Sequence, residues 1–380
     1  KNAQKPLFLA GNGIKLANAT DEFISLLENL DIPVQTTWKT IDMFDENHPL
    51  YAGHPGSMGD RGANFIIQEC DLLVSIGSRI DTSLTAFNDR NFAKNAKKVI
   101  VDIDENEIRR MDMDKEVWCA CDAGDFIAAL KKAPVGLKLP DISVWKDYCT
   151  SIRKKYPVVL DTHREKKDYI SCYYFIDQLC DALDSDDIIV PESSGAAGEI
   201  TYQAFRIKKG QKMKNAAGLG SMGFGVPYAI GACLANDRKR TILIDGDGAF
   251  QMNIQELETI RRLSLPIKIF IWNNNGYASI RNMQTNTFNS HYVACGPDSG
   301  LTLPDSNRIA QAYEIPTIRL NTNQQMKDHI KEILESDGPM ICELMVDPLE
   351  TISPRVKAKK MPDGNMVSMP LEKMWPYLTD

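Results

Sequence analysis

The sequence predicts an α/β protein built from two doubly wound parallel-sheet domains. Three observations carry that prediction. Two stretches alternate short apolar runs with amphipathic segments, and the apolar runs have the length used by parallel strands buried on both faces. A charged, Pro-containing stretch without periodicity lies between them. The 380 residues are enough for two or three domains of ordinary size.

The first strand reads at Pro6–Ala10, followed by Gly11-Asn-Gly13 and an amphipathic helix over 20–30, whose Asp21 and Glu22 suit a helix amino terminus. Further strands read at 34–37, 71–76 and 98–102, giving a central domain over residues 1–132. Residues 133–168 gather Pro134, Gly136, Pro140 and Pro157 and read as a linker. The second domain, 169–350, has strands at 187–190, 240–245, 267–272 and 340–346, with helices at 256–263 and 326–336. Residues 351–380 read as an ordered tail with a turn signal at Pro362-Asp-Gly364.

Composition excludes several classes of function. The net charge of −7 and the lack of any basic block beyond 355–360 give no electrostatic footprint for nucleic acid. No apolar run approaches the ~18 residues of a membrane span. The nine cysteines are scattered without a C-x-x-C pair, which argues against a zinc site and for free thiols in a cytoplasmic protein. The chain opens with Lys1 and no signal-peptide pattern, so it is expected to be part of a longer protein.

The chemistry concentrates at two strand ends. Gly246-Asp247-Gly248 follows one predicted strand, and Asn273-Asn274-Asn275-Gly276 follows the next. One helix separates the strands, so they are neighbours in a parallel sheet joined by a right-handed crossover, and both turns open on the carboxyl edge where such sheets place ligands. Asp247, Asn274 and the Gly276 carbonyl form an all-oxygen set suited to a hard ion such as Mg²⁺, with a diphosphate completing the shell. Glycines beside Asp247 let phosphate approach the backbone, and a helix expected to start near Asn253 points its amino end at the same crevice. Either turn alone would be ordinary. Their spacing of 27 residues across one crossover makes the pair informative.

In this spacing the sequence resembles the thiamine diphosphate enzymes, whose fingerprint is Gly-Asp-Gly, a spacer of this length, then Asn-Asn. The segment from Gly218 to Gly231 is similar to the corresponding segment of the acetolactate synthase branch, and residues 1–130 resemble the central domain of the same enzymes. The resemblance implies that Asp247, Asn274 and Gly276 bind Mg²⁺. It also implies that Ser194, Gly195, Ala196, Gly220, Gly246, Gly248, Ala249 and Tyr277 contact the cofactor, and that Met222 lies beneath its thiazolium ring. The reaction implied is carboligation or decarboxylation of a 2-keto acid by a homo-oligomer, a dimer or tetramer. The catalytic glutamate of the family lies in an amino-terminal domain, so residues 1–380 alone are expected to be inactive.

The departures from the pattern bear on substrate. The loop 191–197 keeps only Gly195 of the Gly-Gln-His segment of acetolactate synthases, and Met283 stands where they carry an acceptor-selecting tryptophan. Gly11-Asn-Gly13, Arg79 and Asp102 resemble positions that hold FAD in flavin-containing members, which makes FAD a second candidate cofactor. Two alternatives stand beside this reading: a flavin or nicotinamide oxidoreductase centred on the first domain, and a non-catalytic assembly fragment. The G-x-G-x-x-G at 218–223 does not follow a strand-like run, against a nicotinamide fingerprint.

Overall fold

The computed structural model describes residues 2–132, 140–193, 195–216, 218–362 and 364–378. The chain forms two units, Lys1–Val158 with Ser353–Asp380, and Val159–Ile352.

In the first unit, β1 (Pro6–Ala10), β2 (Val34–Thr36), β3 (Leu72–Ile76), β4 (Lys97–Asp102) and β5 (Val117–Ala120) form an all-parallel sheet in the order β2-β1-β3-β4-β5. Successive side chains of a strand point to opposite faces. Accordingly Leu7 and Leu9 enter one apolar cluster and Phe8 and Ala10 the other, so the continuous apolar run of β1 reflects helices on both faces. Helix Thr20–Leu30 buries Phe23, Leu26 and Leu27, the i, i+3, i+4 spacing of one helical face.

One part of the first unit differs from expectation. Residues 143–155, expected within a linker, form a helix whose Trp145 and Cys149 are buried in the first core, with Trp145 Nε1 donating to the Pro6 carbonyl at 2.9 Å. Four-residue spacing of apolar positions placed this stretch on a core face despite its charge. Pro134 and Gly136 of that stretch lie outside the described residues. The tail carries short antiparallel pairs, 355–356 with 374–375 and 358–360 with 366–368. It is strapped to helix Arg61–Glu69: Arg61 donates to the Met374 carbonyl at 3.1 Å, Asn64 to the Leu371 carbonyl at 3.1 Å and Gln68 to Glu372 at 2.7 Å. Its expected turn includes residue 363, outside the described residues.

The second unit holds β6 (Ile188–Pro191), β7 (Lys212–Met213), β8 (Thr241–Gly246), β9 (Ile267–Asn273), β10 (Thr317–Leu320) and β11 (Met340–Met345), all parallel in the order β10-β11-β9-β8-β6-β7. β8 and β9 are adjacent central strands, with Gly246 opposite Trp272. Helices Gly225–Leu234 and Leu257–Arg262 help close one face, burying Val226, Ala229, Leu257 and Ile260. The helical segment after β8 begins at Asp247 rather than near Asn253. Asn253 is a kink with φ −138°, because its side-chain amide turns back to donate to the Gly223 carbonyl at 2.7 Å. The polar run before Gly218 contains β7, a two-residue edge strand paired to β6. No helix among the described residues is long and apolar enough to cross a membrane.

Candidate cofactor and metal site

The carboxyl ends of β8 and β9 bring Asp247 and the Asn274–Gly276 turn together. Asp247 is buried; its Oδ1 accepts the Gly248 N–H at 3.0 Å and its Oδ2 the Gly276 N–H at 3.0 Å. Burial pushes the Asp247 carboxyl up to about 7, while the N–H groups of Gly276, Gly248 and Asn275 and the Arg281 guanidinium pull it down. Beside it the Asn274 Oδ1 is buried without any hydrogen-bond partner. A buried amide oxygen left unpaired costs about 1–3 kcal/mol, so an unused acceptor here points to a ligand.

The turn is held from several sides. Arg281 donates to the carbonyls of Asn274 at 3.3 Å and Asn275 at 3.1 Å. Gly276 has φ +135°, and a Cβ there would stand 2.3 Å from the Cys295 carbonyl oxygen, so only glycine fits. Tyr277 donates its N–H to that same carbonyl at 3.0 Å and lays its ring over Gly248. Gly246 is different: its backbone is ordinary extended chain at φ −91° and ψ 151°, and a Cβ would meet nothing within 4 Å. Among the described residues nothing within 4 Å requires glycine at 246.

Two further segments converge on this edge. Ser193, at the end of β6, donates to the Ser221 carbonyl at 2.5 Å, which joins the β6 loop to the glycine segment. Gly223 packs against Met252 and Ala249, and Met222 beside it is partly exposed. Gly195 and Ala196 open helix Gly195–Ala204, while Ser194 lies outside the described residues. Gly220 sits in the turn before helix Gly225–Leu234, with φ +62°. Met283 is exposed on helix Ala278–Thr287. Among the described residues no three His, Cys, Asp or Glu side chains cluster as metal ligands.

Sequence reasoning missed Glu192 and Asp245. Both are buried below the turn, where Glu192 Oε2 accepts the Gly225 N–H at 2.7 Å and Asp245 Oδ2 has no partner. Burial raises both carboxyls, and the neighbouring Glu192 carboxylate pushes Asp245 further up. The only signal was an acidic residue ending each of two apolar runs that turn out to be adjacent strands.

In the first unit, the residues expected to hold FAD are engaged within the protein. A Cβ on Gly11 would stand 2.1 Å from Ser78 Cα, so the close approach of two strand-end turns accounts for this glycine. Gly13 donates its N–H to the Gly77 carbonyl at 3.0 Å, Arg79 pairs with Glu107 at 2.9 Å, and Asp102 accepts the Asp104 N–H at 3.1 Å.

Comparisons with known proteins bear on both units. Residues 194–344 match the model of the thiamine pyrophosphate enzyme C-terminal TPP binding domain, and residues 1–130 match the central domain of the same enzymes. The chain belongs to the thiamine pyrophosphate enzymes. Its relatives include the acetolactate synthase isozyme 2 large subunit of Escherichia coli K12, 30% identical over 98% of this chain and 64% of the relative. The acetolactate synthase large subunit of Cyanidium caldarium is 31% identical over 94% of this chain and 60% of the relative. Acetolactate synthase 1, chloroplastic, of Zea mays is 30% identical over 93% and 55%. The chain spans about three fifths of the length of these relatives. Asp247, Asn274, Gly276 and Tyr277 lie within the matched segment.

Proposed function

We propose that this thiamine diphosphate enzyme is Mg²⁺-dependent and acts as a carboligase or decarboxylase on a 2-keto acid, working as a homo-oligomer. The observation that carries the metal site is the buried, unpaired Asn274 Oδ1 on a turn that Gly276 ties to Asp247. Asp247, Asn274 and the Gly276 carbonyl would hold the ion, and the diphosphate would complete its oxygen shell. Gly246, Gly248, Ala249, Gly220, Gly195 and Ala196 would let backbone groups approach the phosphates, and Met222 and Tyr277 would bound the cofactor. When bound, thiamine diphosphate supplies a carbon nucleophile for a keto carbonyl. Asp247 must be ionised to ligate the metal, so ion binding is coupled to proton loss from this buried carboxyl. No activating glutamate is assigned among residues 1–380. FAD is a separate reading for the first unit, and would require Arg79 to exchange Glu107 for a phosphate.

The test is calorimetric titration of the full-length protein with Mg²⁺ and thiamine diphosphate, alongside a pyruvate-consumption assay. Asp247→Ala should remove saturable Mg²⁺-dependent binding, because the two neutral ligands left cannot offset the charge around the ion. Undiminished binding by that variant would remove Asp247 from the metal site.

A further inference from the structure

Asn273, the first asparagine of the pair, has no ligand role in the reading above, yet it joins two other groups. Its Nδ2 donates to Glu343 Oε1 at 2.7 Å, and its Oδ1 accepts the Asn275 N–H at 2.9 Å. Glu343 is fully buried on β11, between β9 and β10, where it lies opposite Ile271 on one side and Arg319 on the other. Its second oxygen accepts from Asn307 Nδ2 at 3.0 Å and from Arg319 Nε at 2.5 Å, and Arg319 reaches on to Asp305 at 2.8 Å.

This arrangement has a direction. An ionised carboxylate offers only acceptors, so Glu343 dictates which end of the Asn273 amide faces it. The NH₂ group must point to Glu343, which leaves the carbonyl oxygen to accept the Asn275 N–H. Asn275 sits at φ +61°, an uncommon backbone conformation, between the two residues assigned to the metal above. We propose that Glu343 is a positioning residue for the metal: through Asn273 it holds the Asn274–Gly276 turn in the shape that directs the Asn274 amide and Gly276 carbonyl at the ion. The inference rests on the metal reading of Asp247, Asn274 and Gly276. It extends the site across three strands, from β9 through β11 to the outer strand β10.

A charged group buried for packing alone would affect stability but not the metal affinity of the folded protein. The relay therefore predicts a binding defect in variants that still fold. In Glu343→Gln, whichever way the new amide turns, an NH₂ group meets one of the donors now facing the carboxylate. Asn273→Ala removes the link itself at a half-buried strand end and is the gentler variant.

The experiment titrates Mn²⁺ into the full-length protein with thiamine diphosphate present, followed by calorimetry and by the Mn²⁺ electron paramagnetic resonance signal. It compares wild type, Asn273→Ala, Glu343→Gln, the double variant and Asp247→Ala, with metal-free melting curves confirming that each is folded. Each single relay variant should weaken Mn²⁺ about 10- to 100-fold, the range for residues that orient metal ligands. The double variant should bind no more weakly than the weaker single, because both substitutions break one connection. Wild-type Mn²⁺ affinity in folded Asn273→Ala and Glu343→Gln, with Asp247→Ala defective, would overturn the relay and leave the metal site standing. Wild-type affinity in Asp247→Ala would overturn the metal reading and the relay together.

Discussion

Gly276→Ala and Gly246→Ala test opposite explanations for two glycines at one site. At Gly276 the φ of +135° would cost an L residue about 1–3 kcal/mol. The new methyl would also stand 2.3 Å from the Cys295 carbonyl oxygen, a backbone atom that cannot swing aside as a side chain could. Moving that loop loosens the Tyr277 N–H to Cys295 bond, worth about 1 kcal/mol net. The total is about 2–4 kcal/mol, which for a domain of this size lowers Tm by about 5–15 °C. At Gly246 the added methyl meets nothing within 4 Å on an ordinary extended backbone, so Tm should stay within about 1 °C of wild type. If phosphate approaches that backbone, thiamine diphosphate affinity should nevertheless fall more than tenfold. Differential scanning calorimetry and titration calorimetry on both variants separate the cases. Wild-type melting of Gly276→Ala would refute the account of the turn, and wild-type cofactor affinity in Gly246→Ala would refute the approach of a phosphate there.

Other outcomes follow from single side chains. Trp145→Ala should destabilise the first unit by about 3–5 kcal/mol in urea titration, since it empties a buried site and frees the Pro6 carbonyl; a loss under 1 kcal/mol would contradict the packing of helix Ser143–Lys155. Burial, then Lys166 and Arg164, hold the His163 imidazole down to about 4, and its Nδ1 accepts the Leu160 N–H at 3.1 Å. The folded value lies below the ordinary one near 6.5, so the unfolded chain binds the extra proton, and stability complete above about pH 6.5 is lost as pH falls toward 4. After allowance for solvent screening this amounts to about 1–3 kcal/mol, and His163→Gln should flatten the urea midpoint between pH 4 and 7. In the full-length protein, Met283→Trp should shift the ratio of products formed from pyruvate and larger acceptors by filling the acceptor side of the pocket; an unchanged ratio would place Met283 outside it.

The central strands were legible because burial on both faces leaves long apolar runs, as at β1, β8 and β9. β5, β7 and β10 were not: they have two to four residues at or near sheet edges, and Val117 and Trp118 face solvent, so no periodicity marks them. Asp247 and Asn274 could be found because each ends a recognisable strand in a turn sequence. Glu192, Asp245 and Glu343 could not, since a buried carboxylate and an exposed one are spelled alike and only strand order brings the first two together. The helix after β8 was misplaced because a side-chain-to-backbone bond at Asn253 overrode local helix propensity.

The strap of residues 353–378 across helix Arg61–Glu69 has a consequence for how the chain is made. Arg61 meets its acceptor 313 positions further along, and Asn64 its own 307 further along. The whole second unit is thus synthesised between the two halves of the first, and it has a closed core of its own. On the ribosome, the second unit can finish folding while the surface of helix Arg61–Glu69 still holds polar groups that lack their final partners. Of the two units, the one begun earlier is thus completed later, and the polar face of helix Arg61–Glu69 waits for its partners until residues 371–376 have been made.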